Sequence, residues 1–181
     1  MKTLKVLALM IMGLCSMASC GDSDNDENNP TQAEAIAATY AGTNEVTVST
    51  PASNETYSAN IEYKITANTN NTINVIVPEY SLPNTMMGNL TLGSYIISNI
   101  PYDASSDSFT KTYGTDGLTM HFKAARQNNG VEVPVFDNTY TFTDNSTISV
   151  KKTSGGLSVT NTFQLGNMPF PIATNFTTGN R

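Results

Sequence analysis

His121 is the only histidine in the chain. It sits between Met120 and Phe122, so on an alternating strand its imidazole points to the polar side, alongside Lys123. A catalytic triad or a histidine-based zinc site needs a nucleophile or further ligands near such a residue. The two cysteines, Cys15 and Cys20, both fall before residue 21. The chain has no Gly-x-Ser-x-Gly turn and no glycine loop built to cradle a phosphate. Carboxylates are left as candidates for acid–base work: Asp103 with Asp107, Asp116, and Asp137 with Asp144. Each stands near Ser, Gly or Asn, a context in which aspartate caps turns. The spacing Asp22, Asp24, Asp26 opens like a calcium loop, but Glu27 and Ala33 occupy the places where such a loop needs glycine and a bidentate glutamate. No catalytic residues, metal or cofactor are therefore expected, and the chain is read as a non-enzyme.

One cysteine has a specific chemistry. Lys2 and Lys5 form a positive start, and the apolar run 6–14 has the length of a signal-peptide core, too short to cross a bilayer as a helix. Met17-Ala18-Ser19-Cys20 resembles a lipobox, in which small residues precede a cysteine that is lipidated after cleavage. Residues 1–19 are thus expected to be a removable lipoprotein signal. Cys20 is expected to carry the acyl chains that hold the protein on a membrane. The rest of the chain contains no cysteine, hence no disulfide and no thiolate metal site.

Residues 20–35 read as a lipidated cysteine and an acidic, disordered tether, because Gly21 to Pro30 offers no apolar side chain to bury. The whole chain has a formal net charge of −6, with 9 Lys and Arg against 15 Asp and Glu. With no basic stripe, nucleic acid is not an expected partner. An acidic cluster directly after the lipidated cysteine resembles the surface-export signal of Bacteroidota lipoproteins. That resemblance implies the outer membrane, on the cell-surface side.

Residues 36–181 read as one all-β domain. Thr31-Gln32-Ala33-Glu34 fits a capping box, which predicts a short helix over 33–38. After Tyr40 the hydrophobic period becomes 2. Ile61, Tyr63 and Ile65 alternate with polar residues, as do Ile73, Val75 and Val77. The same holds for Leu118, Met120 and Phe122; for Val131, Val133 and Val135; and for Tyr140 and Phe142. Ile148 and Val150 follow, then Leu157, Val159, Phe163 and Leu165. Each segment predicts a half-buried strand, and closing about eight to ten of them into an antiparallel up-and-down barrel removes the exposed edges. Tyr63, Tyr95, Met120, Phe122, Tyr140 and Phe142 then face inward and are the candidate ligand pocket. Met86, Met87 and Met168 lie in proline-containing segments suited to a barrel mouth.

Three segments carry a family resemblance: Tyr40-Ala41-Gly42-Thr43, the run Leu90-Thr91-Leu92-Gly93-Ser94-Tyr95-Ile96-Ile97-Ser98-Asn99-Ile100-Pro101, and the closing stretch from Phe163 to Ile172. Together they resemble the calycin-like (lipocalin-like) β-barrel lipoproteins of Bacteroidota, a family with no assigned activity. The anchor, the barrel pattern and the lack of a catalytic constellation lead to the expectation of a surface-anchored, non-enzymatic barrel that binds a small apolar ligand or a partner protein at its mouth. Two alternatives are a structural or adhesive accessory of a cell-surface glycan or outer-membrane complex, and a protease-inhibitor-like barrel that inserts the stretch 79–88 as a loop.

Overall fold

A computed structural model describes residues 30–50, 53–168 and 170–178. The expected signal, Cys20 and most of the expected acidic tether lie outside these residues. The capping box forms as its sequence predicts: the Glu34 N–H donates to Thr31 Oγ1 at 3.2 Å and the Thr31 N–H donates to Glu34 Oε2 at 2.8 Å. It opens a single short helix, α1 (Gln32–Ile36), which ends earlier than the sequence suggests. A helix this short is not stable alone, and tertiary contacts hold it. Ala33 and Ile36 are buried, the Ala33 N–H donates to Asn71 Oδ1 at 3.0 Å, and Tyr40 Oη donates to the Ile36 carbonyl at 2.8 Å.

The described residues then form β1 (Thr39–Ser49), β2 (Asn54–Ala67), β3 (Thr72–Val77), β4 (Tyr80–Thr85), β5 (Gly88–Leu92) and β6 (Tyr95–Asp103). They continue as β7 (Ser108–Thr112), β8 (Thr119–Asn128), β9 (Val131–Thr141), β10 (Thr147–Thr153), β11 (Gly156–Phe163) and β12 (Ile172–Thr178). Eight of these close an antiparallel barrel in the order β1-β12-β11-β10-β7-β6-β3-β2. Apart from two excursions, neighbours in the barrel are neighbours in sequence, so the barrel is up-and-down. The excursions are the hairpins β4–β5 and β8–β9, which join in a separate sheet of order β4-β5-β8-β9. Alternation alone did not reveal this second sheet, because each of its strands reads like a barrel strand.

Both hairpins leave the barrel from the end where β3 and β7 finish and β6 and β10 begin. Helix α1 packs beside Tyr102, Phe109 and Val150, at the opposite end. Leu82, Leu90, Leu92, Met120 and Phe122 of the second sheet join the barrel's inward residues in one continuous core. Between β6 and β7 the ladder is short, pairing only Tyr102 with Phe109 and Asp103 with Ser108. Beyond it, Lys111 Nζ donates to the Ser98 carbonyl at 2.8 Å and bridges the gap.

The segment around Val131, Val133 and Val135 departs from expectation in two ways. It is continuous with the Tyr140 segment in a single strand, β9, and it is exposed: Val131 is 64% and Val133 45% accessible. Asn129 (φ 50) and Gly130 (φ 79) form a two-residue turn between the paired Asn128 and Val131. Two positive-φ residues in such a turn produce a tight hairpin, and this one projects past the barrel, so its tip has nothing to pack on. The stretch 79–88 is likewise mostly strand β4 and the turn after it, paired to β5, rather than a free loop.

Candidate apolar cleft at the barrel mouth

The second sheet positions the site. On β8, Met120, Phe122 and Ala124 are buried, and their partners across the ladder on β9 are Tyr140, Asn138 and Phe136. Directly opposed residues share a face, so Phe136 and Tyr140 lie on the inner side. The register then shifts between Ala124 and Ala125, leaving Val135 as the extra residue of a β-bulge. A bulge reverses the alternation beyond it. Val133 and Val131 therefore oppose Arg126 and Asn128 and return to the same inner face. Without the bulge they would point away.

This face meets the turn between β4 and β5 and the connection between β11 and β12. Met87, Phe136, Tyr140, Asn167, Met168 and Phe170 enclose a cleft of about 450 Å³ there. Five of the six are apolar or aromatic, and the Asn167 amide and the Tyr140 hydroxyl are the polar groups available to orient a guest. The thioethers of Met87 and Met168 can adjust to different shapes. A larger groove of about 910 Å³ runs along β1, β2 and the β3–β4 link. Glu62, Glu79, Asn60 and Thr43 line it, which makes it a wet surface furrow and a poorer apolar site.

Of the residues nominated from sequence, Tyr140 lines the cleft, whereas Tyr63, Tyr95, Met120, Phe122 and Phe142 are buried in the core. Tyr63 packs on Phe176 with ring centroids 4.5 Å apart. Phe142 sits among Tyr95, Tyr113 and Phe163 at 4.9, 5.4 and 5.4 Å. Met87 and Met168 do reach the mouth. Phe136 and Phe170 were missed; a signal for Phe136 was available, because Asn129-Gly130 announces the hairpin that carries it.

The carboxylates are occupied by turns and ion pairs. Asp103 Oδ1 accepts the Ser105 N–H at 3.0 Å and the Ser105 hydroxyl at 2.7 Å, and Oδ2 accepts the Ser106 hydroxyl at 2.9 Å. The Ser105 and Ser106 hydrogen bonds favour its ionised form and hold its pKa below the usual carboxylate range. Tyr102 Oη donates to Asp107 at 2.7 Å, and Asp116 pairs with Lys111 at 2.6 Å. His121 Nε2 lies 2.8 Å from Asp137 Oδ1, with both side chains about half exposed on the outer face of the second sheet. Among the described residues no group of three His, Cys, Asp or Glu could hold a metal ion. No described helix is long and apolar enough to cross a membrane.

Residues 36–179 match the model of the calycin-like beta-barrel domain. The chain belongs to this family. The match runs from the last residue of α1 past the end of β12, so both hairpins and their sheet lie within the calycin-like unit. No curated protein and no solved structure matches the chain. The calycin-like barrel is a fold generally used for binding, and that is compatible with a ligand site at its mouth.

Proposed function

We propose that this calycin-like barrel is a lipid-anchored, non-enzymatic binding protein of the outer membrane, facing the cell surface. Its mouth cleft would hold a small apolar ligand or an apolar side-chain cluster of a partner protein. The observation that carries this reading is the cleft of Met87, Phe136, Tyr140, Asn167, Met168 and Phe170, about 450 Å³ in volume. A space of this size suits a small molecule. Four of the large hydrophobics exposed among the described residues, Val131, Val133, Val135 and Phe136, lie on the one strand that forms its wall. Exposed apolar surface concentrated in this way marks an interaction site more often than scattered residues do.

The lipobox-like Met17-Ala18-Ser19-Cys20 supports the anchor. The geometry fits it: α1, where the described chain begins, packs at the end of the barrel away from the hairpins. A tether leaving there would turn the cleft toward solvent. Titration with the apolar fluorophore anilinonaphthalene sulfonate tests the cleft, with saturable binding to the folded protein as the expected result. Replacing Phe136 and Met168 together by serine should weaken that binding at least about tenfold, the equivalent of 1.4 kcal/mol, with the fold intact. Unchanged binding by this variant would remove the cleft from consideration. Cell fractionation tests the anchor, because Cys20→Ser should move the protein from the membrane to the soluble fraction.

A further inference from the structure

Strand β9 ends the second sheet: its only strand neighbour there is β8. Its far side is therefore an open edge of main-chain donors and acceptors. The phase of that edge is set at the end of the strand. The Gly166 N–H donates to the Thr141 carbonyl at 2.8 Å, and the Thr143 N–H donates to the Gln164 carbonyl at 2.9 Å. Main-chain direction alternates along a strand, and the register is unbroken from Phe136 to Thr141. Asp137 and Thr139 therefore turn their N–H and C=O groups to the same outer side. Among the described residues no strand pairs with them there.

The chain itself begins to cover this edge and then stops. Leu165 bridges Phe142 in the antiparallel sense, so residues 164–166 lie on the edge as a rudimentary strand. They turn away through the bond from the Met168 N–H to the Leu165 carbonyl at 3.0 Å. Toward the hairpin tip, Pro134 lacks an N–H and the bulge at Val135 breaks the ladder, both devices that keep an edge from pairing. Between these two ends lies the stretch Phe136 to Tyr140, which has neither guard and is exposed in all but Tyr140.

We infer that the edge Phe136–Tyr140 takes an extended peptide segment of a partner protein, which adds to the second sheet as an antiparallel strand in line with residues 164–166. The inference rests on the proposed apolar cleft and names what a partner places there. Guest residues opposite Phe136 and Tyr140 share their face, which is the face of the cleft with Met87, Met168 and Phe170, so these residues are apolar. The guest residue opposite Asp137 lies on the other face beside a half-exposed carboxylate, so a basic residue suits it. Along the guest, the first and last positions of the paired stretch are apolar and the one before the last is basic. A second copy of β9 fits poorly. Pairing Asp137 with the copy's Thr139 sets the Val135 bulge against the copy's Thr141, where Gly166 already lies. Pairing Asp137 with the copy's Asp137 puts two carboxylates directly opposite each other, which is destabilising.

The test titrates the capped peptide Thr-Val-Thr-Ser-Lys-Val-Thr into isotope-labelled protein and follows the amides by NMR. Saturable binding is expected, with a dissociation constant of about 1 mM or below. Shifts should centre on Phe136 to Tyr140, and amide exchange at Asp137 and Thr139 should slow. The same peptide methylated on the two main-chain nitrogens that face Thr139 and Asp137 should bind at least about tenfold more weakly. Equal binding of the two peptides would overturn the inference, because main-chain pairing would then contribute nothing. Failure of the parent peptide while anilinonaphthalene sulfonate still fills the cleft overturns strand addition and leaves the cleft standing; failure of both probes removes both. A concentration-dependent dimer that protects the same amides without peptide would give the edge to a second copy and also overturn the inference.

Discussion

Gly42 has no room for a methyl group. A Cβ built on it would lie 2.3 Å from the Thr177 carbonyl oxygen and 2.7 Å from the ring of Phe176. The missing side chain lets the Phe176 ring lie under β1 and reach Tyr63, 4.5 Å away between centroids. Gly42→Ala should therefore destabilise the fold by about 1–3 kcal/mol, the usual cost of overpacking a tight core, as read from the midpoint of urea unfolding. Asp103 makes a different prediction. Its carboxyl is held below the usual range by the serines of its turn, so its contribution to stability is present above the unfolded value of about 4 and fades as pH falls through the folded one. Asp103→Asn should melt lower than wild type at neutral pH, and the difference should vanish in acid. An equal difference at both pH values would mean that the side chain acts through shape alone.

The β8–β9 hairpin is the element whose stability and function separate most cleanly. Val131 lies largely in solvent and Val133 and Val135 are nearly half exposed, and surface substitutions of this kind usually stay within about 0.5 kcal/mol. Replacing all three with threonine, which keeps the β-branch that suits a strand, should leave thermal unfolding nearly unchanged. It should reduce retention on an apolar chromatography resin. A large fall in melting temperature would show that the hairpin packs on something in solution. Its position also explains how far the fold could be read from sequence. Strands such as Ile61-Tyr63-Ile65 and Ile148-Val150 were legible because one face is buried, and that face writes a period of 2. The assignment of hairpins to a second sheet was not legible, since strands in both sheets carry the same period. Nor was the inner face of β9, because a bulge at Val135 shifts the alternation in a way no side-chain pattern announces. Asn44 and Asn161, both buried, escaped for the opposite reason: they are polar residues at inward positions, and an alternation rule assigns polar residues to the outside.

At the scale of the whole molecule, the tyrosines couple the core to pH. Burial pushes the hydroxyls of Tyr63, Tyr80, Tyr95 and Tyr113 well above the ordinary tyrosine value. Three belong to β2, β4 and β6 and Tyr113 directly follows β7, so they sample the barrel and its junction with the second sheet. A group whose folded value is raised stabilises the native state fully below its unfolded value, about 10 for tyrosine. That stability is lost as pH climbs toward the folded value, because the unfolded chain releases protons that the native state retains. Four groups acting together make the loss steep, so alkaline unfolding should begin above about pH 10 and be cooperative. Phenolate absorbance near 295 nm from the buried four should appear only with the loss of β-sheet ellipticity. If all eight tyrosines of the chain titrate smoothly while the sheet signal persists, water reaches the barrel interior, and the packed core around Phe142 and Phe176 is open in solution.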